Sequence, residues 1–147
     1  MNREFLKIKK FVEQINPSFK VHKSKEWSSL WSTGELWIPY FSKIELEGDK
    51  EYLDFIEKEY HFRPNTYIIS LLHEIGHLET ENQELSDNRA IKYASLEYAF
   101  ENRFITREQL FNDYFKIDAE ILATNWAVNY YKNNLQKINK LIDTLKL

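Results

Sequence analysis

The chain has 147 residues, about the length of one domain, with 43% hydrophobic and 29% charged residues, as in a soluble globular protein. Its 20 basic and 23 acidic residues give a net charge of −3, so there is no excess positive charge to drive binding to a nucleic-acid backbone. Cysteine is absent, which excludes disulfides, thiolate metal sites and a cysteine nucleophile. Any transition-metal site must therefore use imidazole and carboxylate ligands.

The N-terminal third predicts one helix followed by a small sheet. Hydrophobic residues recur at helical spacing from Phe5 to Ile15, and Pro17 should end this helix. Residues 25–41 have strand character and are interrupted by Ser32-Thr33-Gly34, which predicts an antiparallel hairpin. Pro39 favours an edge strand, because a missing N–H costs least there. His22, among lysines in residues 20–23, indicates a solvated charge cluster.

The rest of the chain is predicted to be helical. The expected helices cover residues 51–60, the segment from Pro64 to about Thr80, residues 86–100, a segment beginning at a Thr106–Gln109 capping box, and residues 118–131 and 135–147. We therefore expect one α+β domain spanning 1–147, mostly helical with a small antiparallel sheet near the N-terminal half. The N-terminus lacks a secretory apolar region and no apolar run is long enough to cross a membrane, so we expect a cytoplasmic protein.

The chemistry is concentrated in one motif, His73-Glu74-Ile75-Gly76-His77, which matches the pattern H-E-x-x-H. In a helix the two histidines lie one turn apart on the same face, where both imidazoles can bind one zinc ion. Glu74 lies about 100° round the helix from His73 and about 60° from His77, beside the metal without needing to bind it. A carboxylate in that place can act as a general base. Gly76 in mid-helix suggests that another element approaches closely.

A catalytic zinc site needs a third protein ligand, and Glu120 is the best candidate. Ala123, Thr124 and Ala127 share its predicted helix face, and small side chains there allow close packing against the histidine helix. Glu97 and Glu101 remain alternatives. Five tyrosines are possible oxyanion donors, with no basis in sequence for choosing among them: Tyr93, Tyr98, Tyr114, Tyr130 and Tyr131.

At these residues the sequence resembles the ImmA/IrrE family of zinc metallopeptidases. That family pairs a His-Glu-hydrophobic-Gly-His helix with a later Glu-x-Glu-Ala-Asn-x-Phe-Ala helix. The second element here is Glu120-Ile121-Leu122-Ala123-Thr124-Asn125-Trp126-Ala127, which matches at Glu120, Ala123 and Ala127 and has Trp126 in the aromatic position. It departs at Leu122, where the family usually has Glu, and at Thr124, where it usually has Asn. The resemblance spans residues 27–131.

The resemblance implies a zincin-like, gluzincin-type fold in which His73, His77 and Glu120 bind Zn²⁺ and Glu74 is the catalytic base. It also implies hydrolysis of a peptide bond in a protein substrate, in some members a regulatory protein in a phage or mobile-element setting. No direct nucleic-acid or membrane partner is expected, and the oligomeric state is not predicted. The alternative function is a catalytically inactive zincin-fold protein that acts as a protein-interaction module. In zincins an extended substrate usually adds to an edge strand, and the strand around Leu36 to Pro39 is the expected docking element. The alternative role of this strand is core packing by Trp37 and Ile38.

Overall fold

A computed structural model of the chain describes residues 3–39 and 48–145. Helix α1 (Arg3–Ile15) is amphipathic and buries Ile8, Phe11 and Val12. It ends before Pro17, as the sequence predicts. The strands that follow are β1 (Lys20–Ser24), β2 (Ser28–Leu30) and β3 (Glu35–Pro39).

The three strands form a mixed sheet in the order β1-β3-β2. The hairpin prediction is confirmed for β2 and β3, which pair antiparallel around the turn at Gly34. The prediction of an antiparallel sheet is wrong for β1, which pairs parallel with β3 and places Val21 opposite Leu36. His22 lies in the charge cluster that the sequence predicts: its side chain is 43% exposed, stacks on Trp37 and lies 2.9 Å from Glu35.

The position of β3 corrects two further expectations. Because β3 lies between β1 and β2, it is the central strand, and Pro39 occupies its last position rather than an edge. Leu36 and Trp37 are paired with β1 on one side and with β2 on the other, so this part of β3 cannot receive an additional strand, and the substrate-docking prediction is wrong for it. The flank that follows Pro39 lies outside the described residues. Among the described residues, β2 pairs only with β3, so β2 is an edge strand of the sheet.

Two helices follow the sheet, α2 (Asp49–Tyr60) and α3 (Thr66–Thr80). Helix α3 begins two residues later than the Pro64 start predicts, because the Asn65 side chain accepts a hydrogen bond from the backbone N–H of Ile68 and caps the helix there. Its buried residues lie on more than one face, from Ile68 to His77. Helix α3 is therefore the central helix of the domain, packed between the sheet and the later helices.

The remaining helices are α4 (Gln83–Glu101), α5 (Arg107–Tyr114), α6 (Asp118–Asn133) and α7 (Leu135–Leu145). The capping box predicted at Thr106 and Gln109 is present at the start of α5. Helix α6 packs along α3, and Gly76 makes this possible: a Cβ atom built there would lie within 3.0 Å of the Cα and carbonyl carbon of Ala123. The expected close approach at Gly76 is confirmed.

The architecture is thus mostly helical, with a small three-stranded mixed sheet at its N-terminal side. The mostly helical part of the fold prediction is confirmed. Across residues 3–39 and 48–145, no helix is both long enough and apolar enough to cross a membrane.

Candidate metal centre

Helix α3 places two imidazoles on its buried side, one turn apart. His73 and His77 retain only 8% and 2% of their surface exposed. Their rings meet edge to face with centroids 4.7 Å apart, and their Nε2 atoms are separated by 3.1 Å. Both Nε2 atoms therefore point toward the same small region, as the i, i+4 spacing predicts.

Helix α6 supplies a carboxylate to that region. Oε2 of Glu120 lies 2.7 Å from Nε2 of His73 and 3.0 Å from Nε2 of His77. The three side chains form a buried cluster whose possible ligand atoms all lie within 4.8 Å of one another. Ligands bound to zinc at 2.0–2.1 Å in a tetrahedron are about 3.3 Å apart, so small side-chain adjustments would accommodate an ion. His73, His77 and Glu120 could hold a metal ion.

The close contact between α3 and α6 explains why Glu120 reaches the histidines. Ala123 lies one turn after Glu120 and packs its backbone against Gly76, while Ala127, also fully buried, continues the same face. A larger residue at Gly76 would hold the two helices apart. The small-residue pattern that favoured Glu120 in the sequence therefore has the packing role expected of it.

The surroundings of Glu120 favour its ionised form. Burial is the largest influence on the pKa of Glu120 and raises it, but the attraction of His77 and the hydrogen bonds from both histidines outweigh burial and hold this pKa well below its usual 4.5. Burial likewise lowers the pKa of His77, yet the charge of Glu120 leaves that pKa above 6.5. The pair is thus a buried anion with an adjacent imidazole that favours positive charge.

One oxygen of Glu120 gives a direct reason to expect a cation. Its Oε1 atom is buried and accepts no hydrogen bond from the residues that the structure describes. The guanidinium of Arg89 lies near this oxygen, with Nη1 3.6 Å away. An anionic oxygen buried without a donor is costly, and a metal ion bound between the three side chains would offset that cost.

Two hydroxyl groups contact the other ring nitrogen of His73, Nδ1. The hydroxyl of Tyr52, on α2, lies 2.8 Å from Nδ1 of His73 and 3.1 Å from Oγ1 of Thr124. Thr124 Oγ1 is itself 3.2 Å from the same Nδ1 atom. In the metal-free protein Nε2 of His73 donates its hydrogen to Glu120. If a metal ion were bound at Nε2, the ring hydrogen would be on Nδ1 and would be donated to these oxygens, which is the tautomer that a metal ligand requires.

A buried ion pair lies on the outer side of His77. Oε2 of Glu81 is 3.6 Å from Nδ1 of His77, and Oε1 of Glu81 is 3.2 Å from Nη2 of Arg89. The Glu81 side chain is almost completely buried, and burial is the main reason that its pKa is raised. Arg89 also approaches Nδ1 of His77 within 3.4 Å. Arg89 therefore offsets negative charge from both Glu81 and Glu120.

Glu74 lies beside the cluster without belonging to it. Its Oε2 atom accepts a hydrogen bond of 2.7 Å from Oγ of Ser29, in the middle of β2. Its neighbour His73 is in the cluster and Glu74 is not, as the helical geometry predicts. The carboxylate is thus held at the boundary between the edge strand and the two histidines.

The structure separates the remaining candidates. Glu97 and Glu101 lie on exposed positions of α4 and are not part of the His73, His77 and Glu120 cluster. Of the five tyrosines, Tyr114 is the one whose pKa responds to Glu120: burial is the larger cause, and the charge of Glu120 raises that pKa further. Tyr131, by contrast, accepts a hydrogen bond from the backbone N–H of Asn65 at the start of α3.

Sequence reasoning missed four residues of the centre: Ser29, Tyr52, Glu81 and Arg89. Glu81 follows His77 by one helical turn and contacts its Nδ1 atom without being a member of the cluster. Tyr52 and Arg89 contact the centre only through the packing of α2 and α4, and no local pattern marks them.

Comparison of the chain with protein-family models, with curated proteins and with solved structures finds no match.

Proposed function

We propose that the protein is a zinc-dependent endopeptidase with a zincin-like fold, similar to the ImmA/IrrE metallopeptidases. The observation that carries the proposal is the convergence of Glu120 with the two histidines of the H-E-x-x-H motif, while Glu74 of that motif stays outside the ligand cluster. A purely structural site has no need of a carboxylate beside the ligands. The arrangement therefore supports catalysis.

Zinc is the ion that this ligand set favours. Two imidazoles and one carboxylate, without cysteine, form the ligand class of catalytic zinc sites that keep a fourth position open for water or substrate. Thr124 and Tyr52 orient His73, and Glu81 lies beside Nδ1 of His77, so both imidazoles have the outer contacts that zinc ligands usually make.

When bound, zinc supplies Lewis acidity that activates a water molecule and polarises the carbonyl of the scissile bond. In the proposed mechanism Glu74 accepts a proton from the attacking water and later delivers it to the leaving amine. Ser29 holds the Glu74 carboxylate through its hydrogen bond and fixes the direction from which the proton is taken. Arg89 lies within reach of the ligand carboxylate and balances its charge.

The edge strand β2 is the proposed docking element for the substrate. It pairs with β3 on one side, and Ser29 at its centre contacts Glu74. An extended peptide that adds to the side of β2 that pairs with no strand among the described residues would pass the Glu74 carboxylate. The substrate is therefore proposed to be an extended segment of a protein, with no direct part for nucleic acid or a membrane.

Hydrolysis by zinc-loaded protein tests the proposal. Fluorescence-quenched peptides should be cleaved by the wild type, and Glu74→Gln should reduce kcat/KM by at least about 10²-fold because the amide cannot accept the proton. Glu79→Gln is the matched control, since Glu79 is exposed on the same helix, and its activity should equal that of the wild type. Equal activity of wild type and Glu74→Gln, or no cleavage by the zinc-loaded wild type, would contradict the proposal.

A further inference from the structure

A cleft of about 970 Å³ lies between α4, α5 and residues 25–27, which lead directly into β2. Among the described residues, its large apolar lining consists of Trp27, Tyr93, Leu110, Phe111 and Tyr114. A cavity of this size is in the range that holds a small ligand or a few residues of a peptide.

The apolar side chains of the cleft are left incompletely covered by the packing of α4. None of the 19 residues of α4 is buried, and Tyr93 near its centre is 45% exposed. Tyr93 meets Tyr114 of α5 edge to face, with ring centroids 5.6 Å apart. These two rings form one wall of the cleft, and a further apolar group packed against them would gain from leaving water.

The cleft adjoins the candidate metal centre through Arg89. This side chain lines the cleft and also lies 3.4 Å from Nδ1 of His77 and 3.6 Å from Oε1 of Glu120. The cleft also includes residues 25–27, which lead into β2. A peptide that follows β2 past Glu74 would therefore pass along the cleft.

We propose that this cleft is a specificity subsite that binds a large aromatic or aliphatic side chain of the substrate next to the scissile bond. The assignment rests on the proposed peptidase function and adds the class of sequence that the enzyme would select. A charged side chain fits less well. A charged group would lose its hydration on contact with the aromatic rings, which is unfavourable. The charged residues of the lining would not compensate, because they include both signs: Lys25, Arg89 and Glu26.

The test uses two peptide hydroxamates that bind to zinc-loaded protein whether or not it hydrolyses peptides. Both carry the same chelating hydroxamate and the same dialanine amide, and they differ only in the side chain beside the chelating group, benzyl in one and methyl in the other. We expect the benzyl compound to bind at least about tenfold more tightly by calorimetry, because its ring becomes buried in the cleft.

Tyr93→Ala should reduce this benzyl-over-methyl preference by about two- to tenfold, the usual range for one aromatic contact. Tyr98→Ala is the matched control, because Tyr98 is on the same helix, is 64% exposed and is not among the cleft-lining residues, so the preference should not change. Equal binding of the two hydroxamates, or an equal effect of the two variants, would overturn the subsite even if the wild type hydrolyses peptides. Binding of neither compound would overturn both the subsite and the proposed zinc enzyme.

Discussion

Gly76→Ala tests how the packing of two helices controls the metal centre. The added Cβ atom would lie within 3.0 Å of the Cα and carbonyl carbon of Ala123, whereas carbon atoms in contact are normally about 3.5–4.0 Å apart. The obstacle is backbone, so no side-chain rotation can relieve it, and α6 must move away from α3 by about 0.5–1 Å.

Two opposing effects set the change in stability. Overpacking of this kind usually costs about 1–3 kcal/mol, and replacing glycine by alanine in a helix returns about 1 kcal/mol. We therefore expect the free energy of unfolding of the metal-free protein to fall by about 0–2 kcal/mol. Zinc sites tolerate ligand displacements of about 0.2 Å, and Glu120 lies one turn from Ala123, so zinc affinity should fall by at least about tenfold.

Urea unfolding and competition with a chromophoric zinc chelator measure the two quantities. Glu79→Ala is the control, because it changes an exposed residue of the same helix and should leave both within experimental error. If Gly76→Ala raised the free energy of unfolding by the roughly 1 kcal/mol expected at an unobstructed helical position and kept wild-type zinc affinity, the packing argument would be refuted.

Two further predictions concern the groups around the ligands. Tyr52→Phe removes the hydroxyl that lies 2.8 Å from Nδ1 of His73 and should lower zinc affinity by about 10- to 100-fold. Tyr131→Phe is the control, because Tyr131 is also buried but its hydroxyl bonds to Asn65, and this variant should keep wild-type zinc affinity. Equal affinities of the two variants would contradict the role of Tyr52. In metal-free protein, the pKa of His77 is above 6.5 in the folded state despite burial. The interaction of His77 with Glu120 therefore stabilises the fold fully below the unfolded-state pKa of 6.5, and this stabilisation is lost as the pH rises through the folded-state pKa. The free energy of unfolding, measured with chelator present, should therefore decline as the pH rises above about 6.5, and a rise over that range would contradict the assigned charges.

The helices and the three residues of the candidate metal cluster were accessible from the sequence because both depend on local spacing. Helical periodicity located α1 and α3 to within a few residues, and the i, i+4 spacing of His73 and His77 fixed their common face. Small residues around Ala123 indicated which helix packs against Gly76, and hence favoured Glu120 over Glu97 and Glu101.

Features that depend on long-range pairing were not accessible. Strand β1 has Val21 as its one buried residue, so its pattern resembles a polar loop, and its parallel partner β3 lies beyond β2 in the chain. Because β1 was not predicted, β3 was expected to be an edge strand, whereas it is the central strand of the sheet. Arg89 enters the centre because α4 follows α3 after a short connection at Glu81 and Asn82, a reversal that no local pattern specifies.

Metal content is the most direct test of the central claim. Elemental analysis of the wild type should give one zinc per chain, and His77→Ala and Glu120→Ala should lose most of it because two remaining ligands hold zinc poorly. Glu97→Ala should retain one zinc per chain, since Glu97 is exposed on α4 and lies outside the ligand cluster. Unchanged zinc content in Glu120→Ala, or loss of zinc in Glu97→Ala, would contradict the metal centre on which the proposed function depends.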